Sequence, residues 1–599
     1  MKKFLLQFTT LALCSVLFVP SVFAARTDKH MLQVGLAFGG GSLSAANLQN
    51  NAGYGSGYRF GYFDEDLEFE ELGYTEEDVT AITMLRASEV YLSGSTYTTT
   101  KPGGNYQTIG CYHVVLDEFS DFEDALDLAE EYENGFVAWI NGDYQAREGM
   151  YTTKEEAEQA AWELDGVDVK GTSAYAVNVV ETGSAQILFQ FDGSTDFALG
   201  VMPDVTGEED VRTWFKGYKY RGGFRYERIG GGNLNVVNIV DLETYVKGVI
   251  PYEMNNGWPL EALKAQAVCA RSYAYNCIQE RSHISYNVDI CTTEDCQVYR
   301  GVGSGNENYQ ANERTDRAVE ETEGMYALYG GDPIWAYYSS SHGGGSERID
   351  RVWSSNFAKF PYICGVNDPY EQLVAHLNSY SYWKKTFTKA DLLQRLQANG
   401  YGYNTSIDSL ELTYSEFGNV IGVKVNYTNG KSNSFTPKGT KFGVRSLFGG
   451  LSSLHFTING QGASSGTQVE TTPNATISGG ITVNEQEKLK LDSHLYVLTG
   501  TGRTARIDPE EIYVVTGNGE VGRLDAENGS DESGSSVSTP TQTVVTITGN
   551  TYVLEGSGNG HQLGMSQYGA YAMAEEGFDY DEIVEFYYPG VEVDFYQFN

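Results

Sequence analysis

The sequence predicts an α+β protein of several domains that is β-rich for most of its length and has one long helix. Three observations lead to this prediction. The chain has 599 residues, several times the length of one domain. Short runs with strand-like alternation are separated by Gly-rich turns along most of the chain. Helical periodicity is confined to a few segments, of which residues 259–277 form the strongest.

The composition is that of a globular protein with an acidic surface. Hydrophobic residues make up 41% and charged residues 20%, and the net charge is −40. This charge opposes binding to nucleic acid and to anionic lipid, because both are themselves negative. Glycans remain compatible, since hydrogen bonds and aromatic faces hold them, and the chain has 43 tyrosines. An alternative is that the acidity only keeps an exported protein in solution.

The N-terminus has the pattern of a secretory signal peptide, predicted at residues 1–25. Two lysines precede an apolar run at residues 4–19, and residues 21–24 supply a small-residue cleavage pattern. An uncleaved anchor is the alternative. The sequence therefore predicts an exported protein of the cell envelope.

Two small modules are predicted next. Residues 26–110 form a β-rich module with no visible chemistry. Residues 111–180 have a βαββαβ order, with helices at 121–132 and 152–164 and a closing strand at 174–180. This order and the Tyr-Thr-Thr-Lys-Glu-Glu-Ala-Glu segment of the second helix resemble SPOR domains, which bind peptidoglycan glycans. A ferredoxin-like unit without a ligand is the alternative.

Four sequence blocks dominate the rest of the chain. They are residues 242–274 with Val-Ile-Pro-Tyr-Glu-Met, 291–301 with Cys-Thr-Thr-Glu-Asp-Cys, 335–344 with Ser-Ser-Ser-His-Gly-Gly, and 556–570 with Gly-Asn-Gly-His-Gln-Leu-Gly-Met-Ser-Gln. Their residues and order resemble the SpoIID/LytB family. The resemblance covers residues 187–459 and 549–599, with residues 460–548 as an insertion that contains Ser/Thr/Gly-rich linkers.

Glu253 is the candidate catalytic residue. It lies in an otherwise apolar stretch, and shielding from water raises the pKa of a carboxyl toward working pH. Such a group can donate a proton to a glycosidic oxygen and later take one back. The resemblance implies a lytic transglycosylase, in which one Glu is acid and base and no cofactor is required. Without the resemblance, a helix cap or an ion pair with Lys247 or Arg271 would explain Glu253.

Other polar residues of the blocks are candidates for substrate binding: Arg271, Ser340, Ser341, His342, His561 and Gln567. His342 stands where the family often has Cys or a small residue, and Gln562 replaces the family's usual Gly. For both histidines a turn or core position is the alternative. Asp241 and Glu243, which lie ten or more residues before Glu253, are candidates for a second carboxylate but are interpreted as residues of a solvated edge.

A metal site is predicted in the second block. Some relatives bind zinc through a His and a Cys-x-x-x-His-Cys sequence. His283, Cys291 and Cys296 match this pattern, and Asp295 replaces the second His. Four such ligands would form a closed, structural site. A disulfide between the two cysteines is the alternative, natural for an exported protein.

Together these features predict an exported enzyme that cuts the glycan strands of peptidoglycan. The resemblance implies work beside a cell-wall amidase and membrane-bound engulfment proteins during sporulation, or in general wall remodelling. The alternatives are a non-catalytic amidase enhancer, known from the LytB branch, and a surface adhesin with a degenerate domain.

Overall fold

A computed structural model describes most of the chain. The described ranges are residues 30–50, 56–164, 166–204, 211–307, 309–353, 355–438, 442–463 and 542–597, together with six short strands between residues 476 and 523. The predicted signal peptide and most of the predicted insertion lie outside the described residues.

The helices of the described ranges vary widely in length. They are α1 (Phe122–Ala129), α2 (Lys154–Glu163), α3 (Leu242–Glu253), α4 (Leu260–Glu280), α5 (Glu313–Glu320), α6 (Ile349–Val352), α7 (Lys389–Ala398), α8 (Val444–Leu447), α9 (Gln567–Glu575) and α10 (Tyr580–Tyr587). Among them, none is long and apolar enough to cross a membrane.

Strands outnumber helices throughout. In the first half of the chain they are β1 (Met31–Ala37), β2 (Ala45–Asn50), β3 (Tyr58–Phe63), β4 (Phe69–Tyr74), β5 (Ala81–Arg86), β6 (Val90–Ser93), β7 (Thr96–Thr98), β8 (Gln107–Ile109), β9 (Tyr112–Phe119), β10 (Gly135–Ile140), β11 (Asp143–Tyr151), β12 (Asp168–Gly171), β13 (Val177–Glu181), β14 (Ile187–Asp192), β15 (Leu199–Pro203), β16 (Thr213–Phe215), β17 (Tyr218–Tyr220), β18 (Gly223–Glu227), β19 (Asn235–Asp241) and β20 (Ile290–Cys291). In the second half they are β21 (Met325–Tyr329), β22 (Asp332–Pro333), β23 (Tyr338–Ser339), β24 (Trp383–Thr388), β25 (Ile407–Tyr414), β26 (Val420–Tyr427), β27 (Ser432–Phe435), β28 (Phe456–Ile458), β29 (Thr476–Ile477), β30 (Ile481–Thr482), β31 (Leu495–Leu498), β32 (Thr504–Ile507), β33 (Tyr513–Val515), β34 (Val521–Arg523), β35 (Thr543–Ile547), β36 (Thr551–Gly556), β37 (Met565–Ser566) and β38 (Glu592–Phe595). The chain is therefore a mixed α+β, β-rich protein.

Two large sheets form the N-terminal half. Their orders are β20-β1-β19-β18-β15-β3-β4 and β12-β9-β11-β10-β14-β13-β5-β2-β16-β17. The sheets share a core, where the buried rings of Phe60 and Phe189, one from each sheet, stack with centroids 5.1 Å apart. Both sheets run across the predicted boundaries at residues 110 and 187, because β1 pairs with β19 and β5 pairs with β13.

The βαββαβ order predicted for residues 111–180 is present, with a different last strand. The unit consists of β9, α1, β10, β11, α2 and β12, in the sheet order β12-β9-β11-β10. The predicted closing strand at 174–180 is corrected: β13 pairs instead with β5 and β14, so it extends the sheet on the far side. Helix α2 begins at Lys154, after a capping box in which Thr153 accepts the N–H of Glu156 and the Glu156 carboxylate accepts the N–H groups of Thr152 and Thr153.

Helix α4 is the centre of the main domain. Ala and other small residues over its 21 positions let neighbouring helices approach closely, and 13 of its residues are buried. Helices α3, α5, α9 and α10 all pack against it. Because α9 and α10 come from the C-terminal segment, this packing brings the fourth sequence block next to the first.

The described residues on either side of the predicted insertion lie close together. Strand β28 pairs with β36, so that Ile458 stands opposite Leu554. Tyr414 touches both flanks: its hydroxyl donates to the carbonyl of Gln461 at 3.4 Å, and its backbone pairs with Thr543. The chain has therefore rejoined the main sheets at Thr543, before the predicted boundary at residue 548.

Candidate active site

Glu253 is the last residue of α3. The helix begins at the cap formed by Asp241, whose Oδ1 accepts the N–H of Thr244 at 3.0 Å. The helix ends after Glu253, because the backbone of Met254 is extended. Buried Ile250 and Met254 anchor this end in the core, while Glu253 stays half-buried. Because a helix C-terminus carries partial negative charge, this position disfavours an ionised carboxylate.

Three groups from distant parts of the chain contact the Glu253 carboxylate. The N–H of Val298 donates to Oε1 at 2.9 Å, and Nε2 of Gln567 lies 3.4 Å from Oε2. The hydroxyl of Tyr338 is the third hydrogen-bonding partner. All three are neutral donors, so they orient the carboxylate without placing a full positive charge beside it.

The pKa of Glu253 is raised above its ordinary value. Burial is the main cause, because it disfavours the charged form. The hydrogen bonds from Val298, Tyr338 and Gln567 act in the opposite direction, and the negative charge of Glu294 adds to the rise. A raised pKa is the property that a carboxyl needs to donate a proton near neutral pH.

Tyr338 is held in place by a second polar side chain. Nε2 of Gln297 donates to the Tyr338 hydroxyl at 3.1 Å, and Oε1 of Gln297 accepts the hydroxyl of buried Tyr245 at 3.1 Å. Since the Tyr338 oxygen accepts from Gln297, its own proton is directed to Glu253. Tyr338 and Gln297 are not among the residues predicted from the sequence, although both lie in the blocks that carry the resemblance.

Two short parallel strands bring the third and fourth blocks together at Glu253. In this pair, Tyr338 of β23 stands opposite Met565 of β37, and Ser339 stands opposite Ser566. Ser566 then caps α9 by accepting the N–H of Gly569 at 3.0 Å. Gln567, the first residue of α9, thus follows directly on the strand that fixes Tyr338.

Two pairs of partly exposed aromatic side chains include the sequence neighbours of Glu253 and Gln567. The rings of Tyr252 and Tyr309 stack with centroids 6.3 Å apart, and those of Trp258 and Tyr568 lie 5.0 Å apart. Tyr252 adjoins Glu253 in sequence, as Tyr568 adjoins Gln567, and all four rings keep exposed surface. Such faces suit the apolar sides of sugar rings.

Comparison with known proteins identifies the domain. Residues 230–329, which include Glu253 and Val298, match the family described as SpoIID, Stage II sporulation protein. The chain is also 26% identical over 512 residues to a protein named Amidase enhancer from Bacillus subtilis (strain 168). This chain contains a SpoIID-family domain. The match covers 81% of this chain and spans 61% of the length of that relative.

Two further relatives share a shorter region. Stage II sporulation protein D of Bacillus subtilis (strain 168) is 25% identical over 370 residues, which cover 60% of this chain and 76% of the relative. An uncharacterized protein of Brachyspira hyodysenteriae is 29% identical over 362 residues, which cover 60% of this chain and 68% of the relative.

Arg271 of this SpoIID domain is a core residue, which corrects its prediction as a substrate-binding residue. Its side chain is fully buried, and Nε and Nη2 donate to the two carboxylate oxygens of Glu243 at 2.7 and 2.6 Å. Nη1 donates to the carbonyl of Met325 at 3.1 Å. These bonds keep Arg271 from a ligand. They also give Glu243 a structural role, as the helix cap does for Asp241.

Ser341 and His342 are likewise buried, so the prediction that they contact substrate is corrected. Oγ of Ser341 accepts the N–H of Asn559 at 3.0 Å and joins the third block to the fourth. His342 is fully enclosed and lies against the ring of Tyr587. Ser340 remains half-buried and keeps its place as a candidate.

His561 lies half-buried in the Gly-rich turn of the fourth block. Its Nδ1 accepts the N–H of Leu563 at 3.0 Å, and its ring lies against Trp353. The next residue, Gln562, has φ of 63°, a conformation that favours Gly and explains the family's usual residue there. Oε1 of Gln562 accepts the N–H of Leu454 at 3.0 Å, which anchors the turn in the core.

The predicted metal residues come together in part. Ligand atoms of His283, Cys291 and Cys296 all lie within 4.8 Å of one another, and Nε2 of His283 is 3.3 Å from Sγ of Cys296. Asp295 is exposed and lies outside this group, so it is not placed as the fourth ligand. Both cysteines are free thiols. The thiol of Cys277, on α4, hydrogen-bonds with that of Cys296, so Cys277 adjoins the site although it is not among the predicted metal residues.

Proposed function

We propose that this protein is an exported peptidoglycan lytic transglycosylase with Glu253 as its single acid and base. The proposal rests on the surroundings of Glu253, a carboxyl of raised pKa held by three neutral donors in a SpoIID/LytB domain. Asp241 and Glu243 serve as helix cap and ion-pair partner, which leaves neither as nucleophile or base.

The reaction would proceed in two proton transfers. Protonated Glu253 donates to the glycosidic oxygen as the bond from that oxygen to C1 of the muramic sugar breaks. The C6 hydroxyl of the same sugar then attacks C1, and ionised Glu253 accepts its proton. One product carries a 1,6-anhydro-muramic end and the other a new hydroxyl. No water is consumed, and Glu253 is again protonated.

The neighbours of Glu253 would stabilise its carboxylate while it is ionised between the two proton transfers. Between the two transfers the carboxylate is charged, and the donors Val298, Tyr338 and Gln567 then stabilise it. The proton can return because burial opposes full ionisation. The half-exposed rings of Tyr252 and Tyr568 would hold the flanking sugars by their apolar faces.

Zinc would have a structural part. The imidazole of His283 and the thiols of Cys291 and Cys296 fit as three of its ligands, since nitrogen and sulfur are the donors that zinc prefers. When bound, zinc would crosslink the loop of the second block. That loop continues to Val298, so these ligands would steady the N–H that contacts Glu253.

Other parts of the chain fit a role at the cell wall. The βαββαβ unit would supply a second contact with glycan, as a SPOR-like module, and the N-terminal 25 residues would direct export. Partners would be a wall amidase and membrane-bound engulfment proteins if the protein acts in sporulation. These are proposals that the names of the relatives, amidase enhancer and stage II sporulation protein D, support.

A second candidate function is that of a non-catalytic amidase enhancer. It is favoured by the relative of that name, which matches 81% of this chain. In that case the protein would bind the wall and stimulate a separate hydrolase, and Glu253 would not be needed for cleavage.

Digestion of purified peptidoglycan distinguishes the two candidates. The chain from residue 26 is incubated with intact and with denuded sacculi, and the released products are analysed by mass spectrometry. Anhydro-muramic ends from the wild type, and none from Glu253→Gln, support the enzyme. The control Glu313→Gln changes an exposed carboxyl at the start of α5 and retains cleavage. Wall binding without release from either substrate would leave the enhancer.

A further inference from the structure

A second cluster of titratable side chains has no part in the reaction described above. A ring nitrogen of His342 and one carboxylate oxygen from each of Asp368 and Glu371 all lie within 4.8 Å of one another. The three residues are only 0%, 2% and 6% exposed. The cluster is therefore sealed from solvent in the interior of the SpoIID/LytB domain.

The imidazole of His342 lacks hydrogen bonds. Among the described residues, neither Nδ1 nor Nε2 has a partner. A buried polar group without partners has lost its hydrogen bonds to water and has no replacement for them in the protein. A bound ion is one explanation for such a group. The nearness of both carboxylates shows that a ring nitrogen is directed into the acidic cluster.

The two carboxylates also lack a positive partner. Glu371 accepts two backbone N–H groups of the third block at 2.5 and 2.7 Å and the hydroxyl of Ser566. Asp368 accepts the hydroxyl of Tyr587 at 2.6 Å. In the described part of the chain no Lys or Arg pairs with either carboxylate. Two buried acidic groups side by side call for a compensating cation or for bound protons.

We propose that His342, Asp368 and Glu371 bind one divalent transition-metal ion. The ion would balance both carboxylates and take a lone pair from the imidazole, which supplies what the cluster lacks. A mixed set of imidazole and carboxylates suits zinc, manganese or iron. Ligand atoms about 2.1 Å from such an ion lie about 3 to 3.5 Å apart, so binding draws the three side chains together.

This site would fasten the third and fourth blocks beneath Glu253. Glu371 holds the backbone next to His342 and also the hydroxyl of Ser566, the residue before Gln567. An ion at Glu371 would therefore fix the junction that presents Gln567 to Glu253. The ligand set contains no sulfur, which separates it from the site of His283, Cys291 and Cys296.

Metal analysis of the full mature chain tests the proposal independently of glycan cleavage. Cys291→Ser and Cys296→Ser together remove the sulfur ligands of the other site. After loading with Zn²⁺ or Mn²⁺ and dialysis, this double variant is expected to retain about one equivalent of metal. Adding His342→Ala is expected to remove it. Adding His455→Ala, which changes a half-buried histidine outside both clusters, is expected to leave it in place.

Circular dichroism shows whether the double variant is folded. A folded double variant that retains less than about a tenth of an equivalent of metal would overturn the proposal. X-ray absorption of Mn²⁺ bound to the wild type requires no substitution and covers the case in which a variant does not fold. A shell of nitrogen and oxygen alone is expected. Bound metal with only sulfur-containing shells would contradict the site and would leave the proposed activity of Glu253 untouched.

Discussion

Nε2 of Gln567 lies 3.4 Å from Oε2 of Glu253, although 314 positions separate the two residues in the chain. The same Nε2 lies 3.3 Å from Oε1 of Gln266 on α4. Gln567 therefore joins the carboxyl at the end of α3, the central helix and the C-terminal block. The contact depends on α9 beginning at this residue, with Ser566 as its cap.

Gln567→Leu is expected to lower kcat/KM for glycan cleavage by about tenfold. The variant keeps the size of the side chain and removes a donor to charged Glu253, and such a bond contributes about 1.5 kcal/mol. Release of anhydro-muramic products from denuded sacculi measures the effect. Gln397→Leu, on exposed α7, is the matched control. Equal rates for both variants would show that Gln567 does not support the carboxylate.

Tyr338→Phe is expected to move the alkaline limb of the pH profile of kcat/KM to higher pH by about one unit. Cleavage needs protonated Glu253, so this limb follows its pKa. The Tyr338 hydroxyl stabilises the ionised form, and its removal raises the pKa further. Tyr337→Phe is the control. A limb that stays in place or moves to lower pH would contradict the assigned hydrogen bond.

Glu253→Gln is expected to stabilise the protein at neutral pH. The folded-state pKa of Glu253 is raised by burial, so the wild type loses stability as pH rises from the unfolded-state pKa through the folded-state pKa. The variant avoids this loss. Its Tm should exceed that of the wild type by roughly 1–3 °C at pH 8, and the difference should vanish near pH 4. A variant less stable than the wild type at pH 8 would count against a destabilised carboxylate.

Arg271→Met is expected to destabilise the protein by about 3 kcal/mol, measured by denaturant unfolding at pH 7. The change leaves the Glu243 carboxylate without its positive partner at a partly buried position. An uncompensated charge there destabilises the folded state. If the variant instead unfolds like the wild type and binds sacculi weakly, Arg271 acts on the ligand after all.

Cys296→Ser is expected to lose one equivalent of zinc relative to the wild type, measured by mass spectrometry of metals after purification without chelator. Cys364→Ser, in a cysteine outside the His283 group, should keep its zinc. An intact mass that is two hydrogens lighter in the wild type, with a peptide joining Cys291 to Cys296, would support the disulfide instead.

The apolar neighbours of Glu253 were sufficient to predict the direction of its pKa, because they reflect burial at the end of one helix. Tyr338 and Gln297 could not be predicted in the same way. Their contacts depend on β23, a strand of only two residues. Its position is set by pairing with β37, which is distant in the sequence. Gln567 was predicted from its block as a substrate-binding residue, whereas in the structure it is buried and its amide contacts Glu253 and Gln266.

The polar residues that proved to be buried show a limit of local patterns. Arg271 was predicted as a substrate-binding candidate because it is a polar residue of a block that carries the family resemblance. Its partner Glu243 lies 28 positions earlier on another helix, so the pairing arises only when α3 packs on α4. His342 lies in a Gly-rich motif typical of surface turns, and contacts from the C-terminal segment, such as Tyr587, enclose it.

The pairing of Ile458 with Leu554, and the contacts of Tyr414 with both flanks, bring the described residues on either side of the segment 464–541 close together. The segment leaves and returns at neighbouring points, so its replacement by a short Gly/Ser linker would leave the sheets continuous. The entropic cost of closing a loop grows only slowly with loop length, so a longer inserted segment could be accepted there as well. The domain can therefore accept different inserted segments between residues 463 and 542, whether these arise in evolution or by protein engineering.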